Sequence, residues 1–215
     1  MTTADTLRDI ALDAFTASGY HATSLQQIAQ RAGVSKASVL YHFASKEVLL
    51  EAAVGPALDR LEVLIDGLET RRMSADGRED FIPEFVDFLL AHRREVHIFF
   101  NHSAHLEDVP IMARAQTLIE RIAAYCQANV ETPESKMRIG IGLAGAAYML
   151  AVADTFGDDI VLHTDFDQAR EPLISILGEL LTGTIRPAPE RDPLAPHASG
   201  SVAAASATAS ATADV

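Results

Sequence analysis

Apolar residues at Leu7, Ile10, Ala11, Ala14 and Phe15 recur at i, i+3, i+4, i+7 and i+8, the spacing that lines one face of an α-helix. Gly19 follows the last turn, where a left-handed C-cap is expected. Thr23 is expected to cap a second helix, with Gln26 completing a capping box and Leu25, Ile28, Ala29 and Ala32 facing inward. Gly33 stops that helix. Ser35 then caps a short third helix carrying Val39, Leu40 and Phe43, and Ser45 caps a fourth. The fourth pattern runs from Lys46 to about Leu68 through Leu49, Ala53, Leu61, Leu64 and Ile65. Pro56 has no amide to offer the Ala52 carbonyl, so a kink is expected at Gly55-Pro56. A polar loop is expected from Thr70 to Arg78.

Beyond it the helical period persists. Phe81, Phe85 and Phe88 form an aromatic stripe, and further helices are expected over Val96 to Phe100, Ile111 to Tyr125, Ser135 to Phe156 and Asp167 to Leu181. Pro110 and Pro133 stand where a helix start tolerates proline. No alternating strand pattern appears, so the fold class is all-α. After Arg186 the composition turns to Pro, Ala, Ser and Thr, and residues 187–215 are expected to be a disordered tail. The longest apolar run, Ile139 to Ala153, is too short to span a bilayer and reads as a buried helix. With no signal-peptide pattern and Cys126 as the one cysteine, a soluble cytoplasmic protein without disulfides is expected.

Charge sharpens this picture. The chain carries a net −13, yet residues 1–47 sum to zero: Arg8, Arg31, Lys36 and Lys46 against Asp5, Asp9, Asp13 and Glu47. From Ala14 to Lys46 there is no acidic residue, where the chain average calls for about five. A neutral-to-basic two-helix unit in an acidic chain is the electrostatic pattern of a surface that meets nucleic-acid phosphate. In a helix-turn-helix the second helix enters the major groove by its N-terminal end. Here that end is Ser35, Lys36, Ala37 and Ser38. Ala37 is small enough for close approach, and Lys36 can reach a guanine edge or a phosphate. Tyr41 and His42, one turn later, can donate to phosphate, and Lys46 brings a cation to the start of the next helix. Thr23 holds the matching position at the start of the second helix. Phe43 reads as core.

The stretch Thr23 to Leu50, TSLQQIAQRAGVSKASVLYHFASKEVLL, resembles the N-terminal signature of the TetR family of transcriptional regulators. The matching elements are the Thr before the second helix, Ile28-Ala29, Ala32-Gly33-Val34-Ser35, Leu40-Tyr41-His42-Phe43 and Ser45-Lys46-Glu47. The resemblance implies a three-helix DNA-binding head over residues 1–47, joined by a long helix to a helical ligand-binding and dimerisation domain over 48–186. It further implies a homodimer that binds a palindromic double-stranded DNA operator and usually represses. By analogy Thr23, Ser35, Lys36, Tyr41, His42 and Lys46 hold the DNA backbone, and Lys36, Ala37 and Ser38 lie nearest the bases. The family often has Gly-Thr where this chain has Ala37-Ser38, which leaves base preference open. The last two long helices, Ser135–Phe156 and Asp167–Leu181, would form the dimer's four-helix interface.

In the body, Phe85, Phe88, Phe99, His102, Met112, Tyr148 and Asp154 are candidates for lining a small-molecule pocket. Core packing is the alternative for each. Gly140-Ile141-Gly142-Leu143-Ala144-Gly145 has dinucleotide-fingerprint spacing but lies inside a helical run, so it reads as a small-residue face for close helix approach. His92, His97, His102, His105 and Asp108 could supply metal ligands, although the five-residue steps splay two of the histidine pairs. No resident metal or cofactor is expected. No Gly-x-Ser-x-Gly, His-Glu-x-x-His or Cys-x-x-Cys motif supports an enzyme. The leading expectation is a repressor released from its operator by a small effector. The alternatives are a helical regulator without such a ligand, or a metal-responsive one using the His92–His105 region.

Overall fold

The computed structural model describes residues 2–71, 75–102, 109–130, 132–152 and 166–182. Among these the regular structure is helical: α1 (Thr3–Ser18), α2 (Leu25–Arg31), α3 (Lys36–His42), α4 (Lys46–Arg71), α5 (Ala75–Ala91), α6 (Arg93–His102), α7 (Pro110–Asn129), α8 (Pro133–Val152) and α9 (Phe166–Thr182). None of the described helices is long and apolar enough to cross a membrane. The expected 187–215 tail lies outside the described residues.

Short-range chemistry sets the helix starts. Thr2 and Asp5 exchange bonds in a capping box at α1. At α2 the cap is Ser24, not Thr23: its hydroxyl accepts from the Gln27 amide at 3.3 Å, and the Gln27 side chain accepts from the Ser24 amide at 2.8 Å. Ser35 caps α3 through the Ser38 amide at 3.1 Å. Ser45 accepts from the Val48 amide at 3.2 Å at the start of α4. Gly33, at φ 68, turns the chain out of α2 into the α3 start. Gly19 has a positive φ of 80, but its ψ of 158 is extended, so it is not the left-handed cap expected.

α4 runs unbroken through Gly55-Pro56 to Arg71. α5 begins at Ala75, inside the stretch expected as a loop. The apolar faces assemble into two clusters. One holds Leu7, Phe15, Ile28, Val39, Leu49 and Leu50, and is completed by Ile98 of α6 and Ile111 of α7. The other packs α4, α5, α8 and α9 around Leu64, Phe85, Val86, Leu150 and Leu177. At the α8–α9 crossing Gly142 is buried. A Cβ there would lie 2.9 Å from Leu181 Cδ1 and 3.2 Å from Leu177 Cδ2, so the glycine permits this approach. Gly140 and Gly145 face open space within the chain.

Ion pairs tie the helices at their solvent edges. Arg94 of α6 meets Asp13 of α1 at 2.5 Å. Arg170 of α9 holds Asp87 of α5 through two bonds, at 2.6 and 3.0 Å. On α7, Arg114 reaches Asp59 and Glu62 of α4, both at 2.7 Å, while Arg121 reaches Asp66 at 2.8 Å and Glu69 at 2.6 Å.

Candidate nucleic-acid interface and body cavity

The first turn of α3 is presented to solvent. Ser35, Lys36 and Ala37 are exposed, and Ser38 is half-buried. Beneath them Val39 is fully buried and Phe43 nearly so, which anchors the helix and turns its opposite face outward. Tyr41 is 86 % exposed, its ring edge-on to His42 at 5.3 Å. An aromatic so open has no packing role within the chain, and its hydroxyl is free to meet a phosphate. His42 shares that exposed face. The Ser35 oxygen accepts the Ser38 amide, which leaves its own proton to donate.

Two of the expected contact residues are engaged within the chain, Thr23 wholly and Lys46 in part. Thr23 is only 4 % exposed. Its hydroxyl bonds to the Gly19 carbonyl at 2.8 Å and lies 3.1 Å from the Ala14 carbonyl, and its amide donates to Tyr20 O at 3.2 Å. No donor remains for phosphate, so Thr23 is a tie between the α1–α2 loop and the end of α1. Lys46 donates to the carbonyls of Tyr20 and Thr23 at 3.0 and 3.1 Å, with its ammonium 4.1 Å from the centre of the Tyr20 ring. Two of its three donors therefore clamp the same loop. The Tyr20 hydroxyl donates to Glu47 at 3.0 Å; burial first, and then the Glu47 carboxylate, push the phenol pKa above its usual value. Bonding to Ser45 first, then to its own amide and Tyr20, lowers that of Glu47. This Tyr20–Lys46–Glu47 latch was not among the sequence candidates. It joins groups 26 and 27 residues apart, and no local pattern announces it.

In the body a cavity of about 680 Å³ lies between α4, α5, α6, α7 and α8. That is the size range of drug-sized ligand sites. Of the pocket candidates, Phe85, Phe88, Phe99 and Met112 line it. Tyr148 does not: it is 50 % exposed and packs edge-on against Phe100 at 6.0 Å. The side chain of His102 and the whole of Asp154 lie outside the described residues, as do His105 and Asp108. The cavity floor is shared with the first apolar cluster through Leu50, Val54, Ile98 and Ile111. Exposed lining residues on α7 (Ile119, Ala123, Gln127) and α8 (Lys136, Gly140, Ala144) mark its mouth. Glu95, also in the wall, was missed by sequence reasoning.

Among the described residues no group of three potential ligands gathers for a metal. His92 Nδ1 is 3.4 Å from Glu95 and its ring packs on Phe88, whereas His97 is buried against the Ala151 carbonyl. A separate apolar stripe, Met137, Ile141, Tyr148 and Met149 of α8 with Ile176 of α9, faces solvent.

Residues 7–53 match the profile described as bacterial regulatory proteins, tetR family. The HTH-type transcriptional regulator RutR of Escherichia coli K12 is 32 % identical over 126 residues, covering 56 % of this chain and 53 % of that one. IcaR of Staphylococcus aureus Newman, a negative transcriptional regulator of a biofilm operon, is 32 % identical over 83 residues, 38 % of this chain and 45 % of that one. The chain thus spans about half the length of the curated relatives it matches. The crystal structure of SCO3833, a TetR regulator family member from Streptomyces coelicolor A3, superposes with a TM-score of 0.62 over 86 % of this chain and 93 % of its own, at 22 % identity, which establishes a common fold. The exposed α3 start thus lies in a segment, residues 7–53, that belongs to the tetR family of bacterial regulatory proteins, and the all-helical frame that carries it shares the fold of a TetR regulator.

Proposed function

We propose that the chain is a sequence-specific DNA-binding transcriptional regulator that represses as a homodimer and leaves a palindromic operator when a small effector fills the cavity. The observation that carries the DNA reading is the exposed face of Ser35, Lys36, Ala37, Tyr41 and His42, with half-buried Ser38, in a stretch, 14–46, that holds no acidic residue. Lys36, Ala37 and Ser38 face the bases in this reading; Tyr41, His42 and Ser35 hold phosphate. Thr23 and Lys46 serve it indirectly, by fixing the loop that carries α2. The head, residues 1–47, reads DNA, and the body, 48–186, pairs and senses. The name of IcaR as a negative regulator supports repression.

The exposed α8–α9 stripe supports pairing through those helices, since an apolar patch of that kind marks an interaction surface. Two heads must stand about 34–36 Å apart to reach successive major grooves. An effector that prefers another body geometry shifts the population away from that spacing. The cavity supports an effector over a ligand-free regulator. Its wall includes Val54 and Ala57, which flank Gly55-Pro56 on α4, so the helix joining head and body is itself part of the wall.

The test is selection of bound duplexes from random DNA, with sedimentation to give the oligomer. An enriched inverted repeat bound by a dimer is the expected result. Enrichment of no sequence, or a monomer on the DNA, refutes the reading.

A further inference from the structure

The cavity wall is apolar except at three positions, and these are not equivalent. Lys136 and Gln127 are exposed at the mouth. Glu95 stands on α6 with its side chain only 14 % exposed, so the ionisable group drawn into the wall is acidic. Its described polar partner is the His92 imidazole at 3.4 Å, a long contact, and an imidazole offsets a carboxylate's charge only while protonated. Phe85, Phe88 and Phe99 line the same space. A carboxylate withdrawn from water favours a paired cation, and aromatic faces attract cations through their quadrupole. At longer range, the whole net −13 falls in residues 48–215, because residues 1–47 sum to zero. A field of that sign concentrates cations at the body and repels anions.

We propose that the effector is a lipophilic monovalent cation, an amine or quaternary ammonium on an apolar frame, with Glu95 as its ionic anchor. This rests on the reading of the cavity as the effector site. The apolar frame fills the space between α4 and α8, and the cationic group meets Glu95 against the phenylalanine faces. Lys136, at the mouth, stays in water and makes no contact with the charge.

Three ten-carbon probes test it by calorimetric titration of the full chain: decyltrimethylammonium, 1-decanol and decanoate. The cation is expected to bind about tenfold or more tightly than the alcohol, with decanoate weakest, the scale of one desolvated cation against a carboxylate and aromatic faces. Glu95→Gln should remove that advantage while leaving decanol affinity and melting temperature unchanged, and Lys136→Gln should leave cation binding as it was. The wild-type ranking decides even where a variant folds poorly. Decanoate binding tightest and weakening in Lys136→Gln would overturn the proposal, as would equal cation affinity in wild type and Glu95→Gln. Decanol bound without cation preference defeats the cation alone; no binding of any probe defeats the effector cavity as well.

Discussion

Lys46 separates two physical roles that the same substitution tests. As a phosphate contact it would contribute to DNA affinity and nothing to the fold. The structure instead gives its ammonium two carbonyl acceptors, Tyr20 O at 3.0 Å and Thr23 O at 3.1 Å, and the Tyr20 ring. A hydrogen bond from a charged group contributes about 1.5–3 kcal/mol net, and the half-buried setting puts each at or below the low end. The ring contact adds about 0.5–1 kcal/mol. Lys46→Met keeps the aliphatic stem, avoids the cost of holding the ammonium, and leaves two loop carbonyls to water. With each bond taken at about 0.5–0.75 kcal/mol in this partly exposed setting, the loss works out at about 2 kcal/mol, or a melting temperature about 4–8 °C lower for a domain of this size. Thermal unfolding by circular dichroism measures it. If the ammonium serves the loop and not phosphate, operator affinity falls with no change in the slope of log K against log salt. A lost contact would flatten that slope by about 0.9. Unchanged melting together with a flatter slope would refute the reasoning. Lys36→Met, at an exposed position, is the control and should show the opposite pattern.

Tyr41→Ala should weaken binding to all DNA sequences and flatten the salt slope, with stability changed by less than about 0.5 kcal/mol at so exposed a site; fluorescence anisotropy at several salt concentrations checks it. Gly145→Ala should raise the monomer's melting temperature slightly, because Cβ meets nothing within the chain, yet loosen the dimer if a partner helix packs there; Gly142→Val should destabilise by about 1–3 kcal/mol against Leu181 and Leu177. Pro56→Ala should alter the effector response more than DNA affinity, and equal effects on both would count against α4 as the transmitting element. Bonding to Arg170 lowers the Asp87 pKa below its ordinary 3.8, so its contribution is complete above that value and is lost as pH falls further. The melting difference between wild type and Asp87→Asn should therefore stay flat at neutral pH and close in acid.

The helix order and the α3 cap were readable because they rest on contacts within four residues. Thr23 and Ser24 show the limit of that reading. Both precede a glutamine three residues on, and only burial of Thr23 against α1 decides that Ser24 is the cap. The Lys46 latch closes over a loop far back in the chain, where spacing carries no information. Tyr148 was misplaced by helical rotation: the cavity takes residues 136, 139, 140, 143, 144 and 147 of α8, and the next residue turns about 100° away. Glu95 was overlooked because a charge on a helix is usually a solvated one, and here its side chain is mostly withdrawn into the cavity wall. Phe85, Phe88, Phe99 and Met112 stood out as aromatic and methionine positions, a residue choice that does not say whether they meet a core or a space.

The arginines of α7 have a consequence for how α4 moves. Arg114 and Arg121 stand seven residues apart, and each bridges carboxylates about one turn apart on α4. Slide α4 along its axis by one turn, about 5.4 Å, and Arg114 meets Glu62 and Asp66 while Arg121 keeps Glu69. Three of the four pairings would survive such a step, whereas a half-turn shift would place both arginines between carboxylates; the seam would therefore favour a discrete step over gradual drift, and less so as added salt screens its exposed charges.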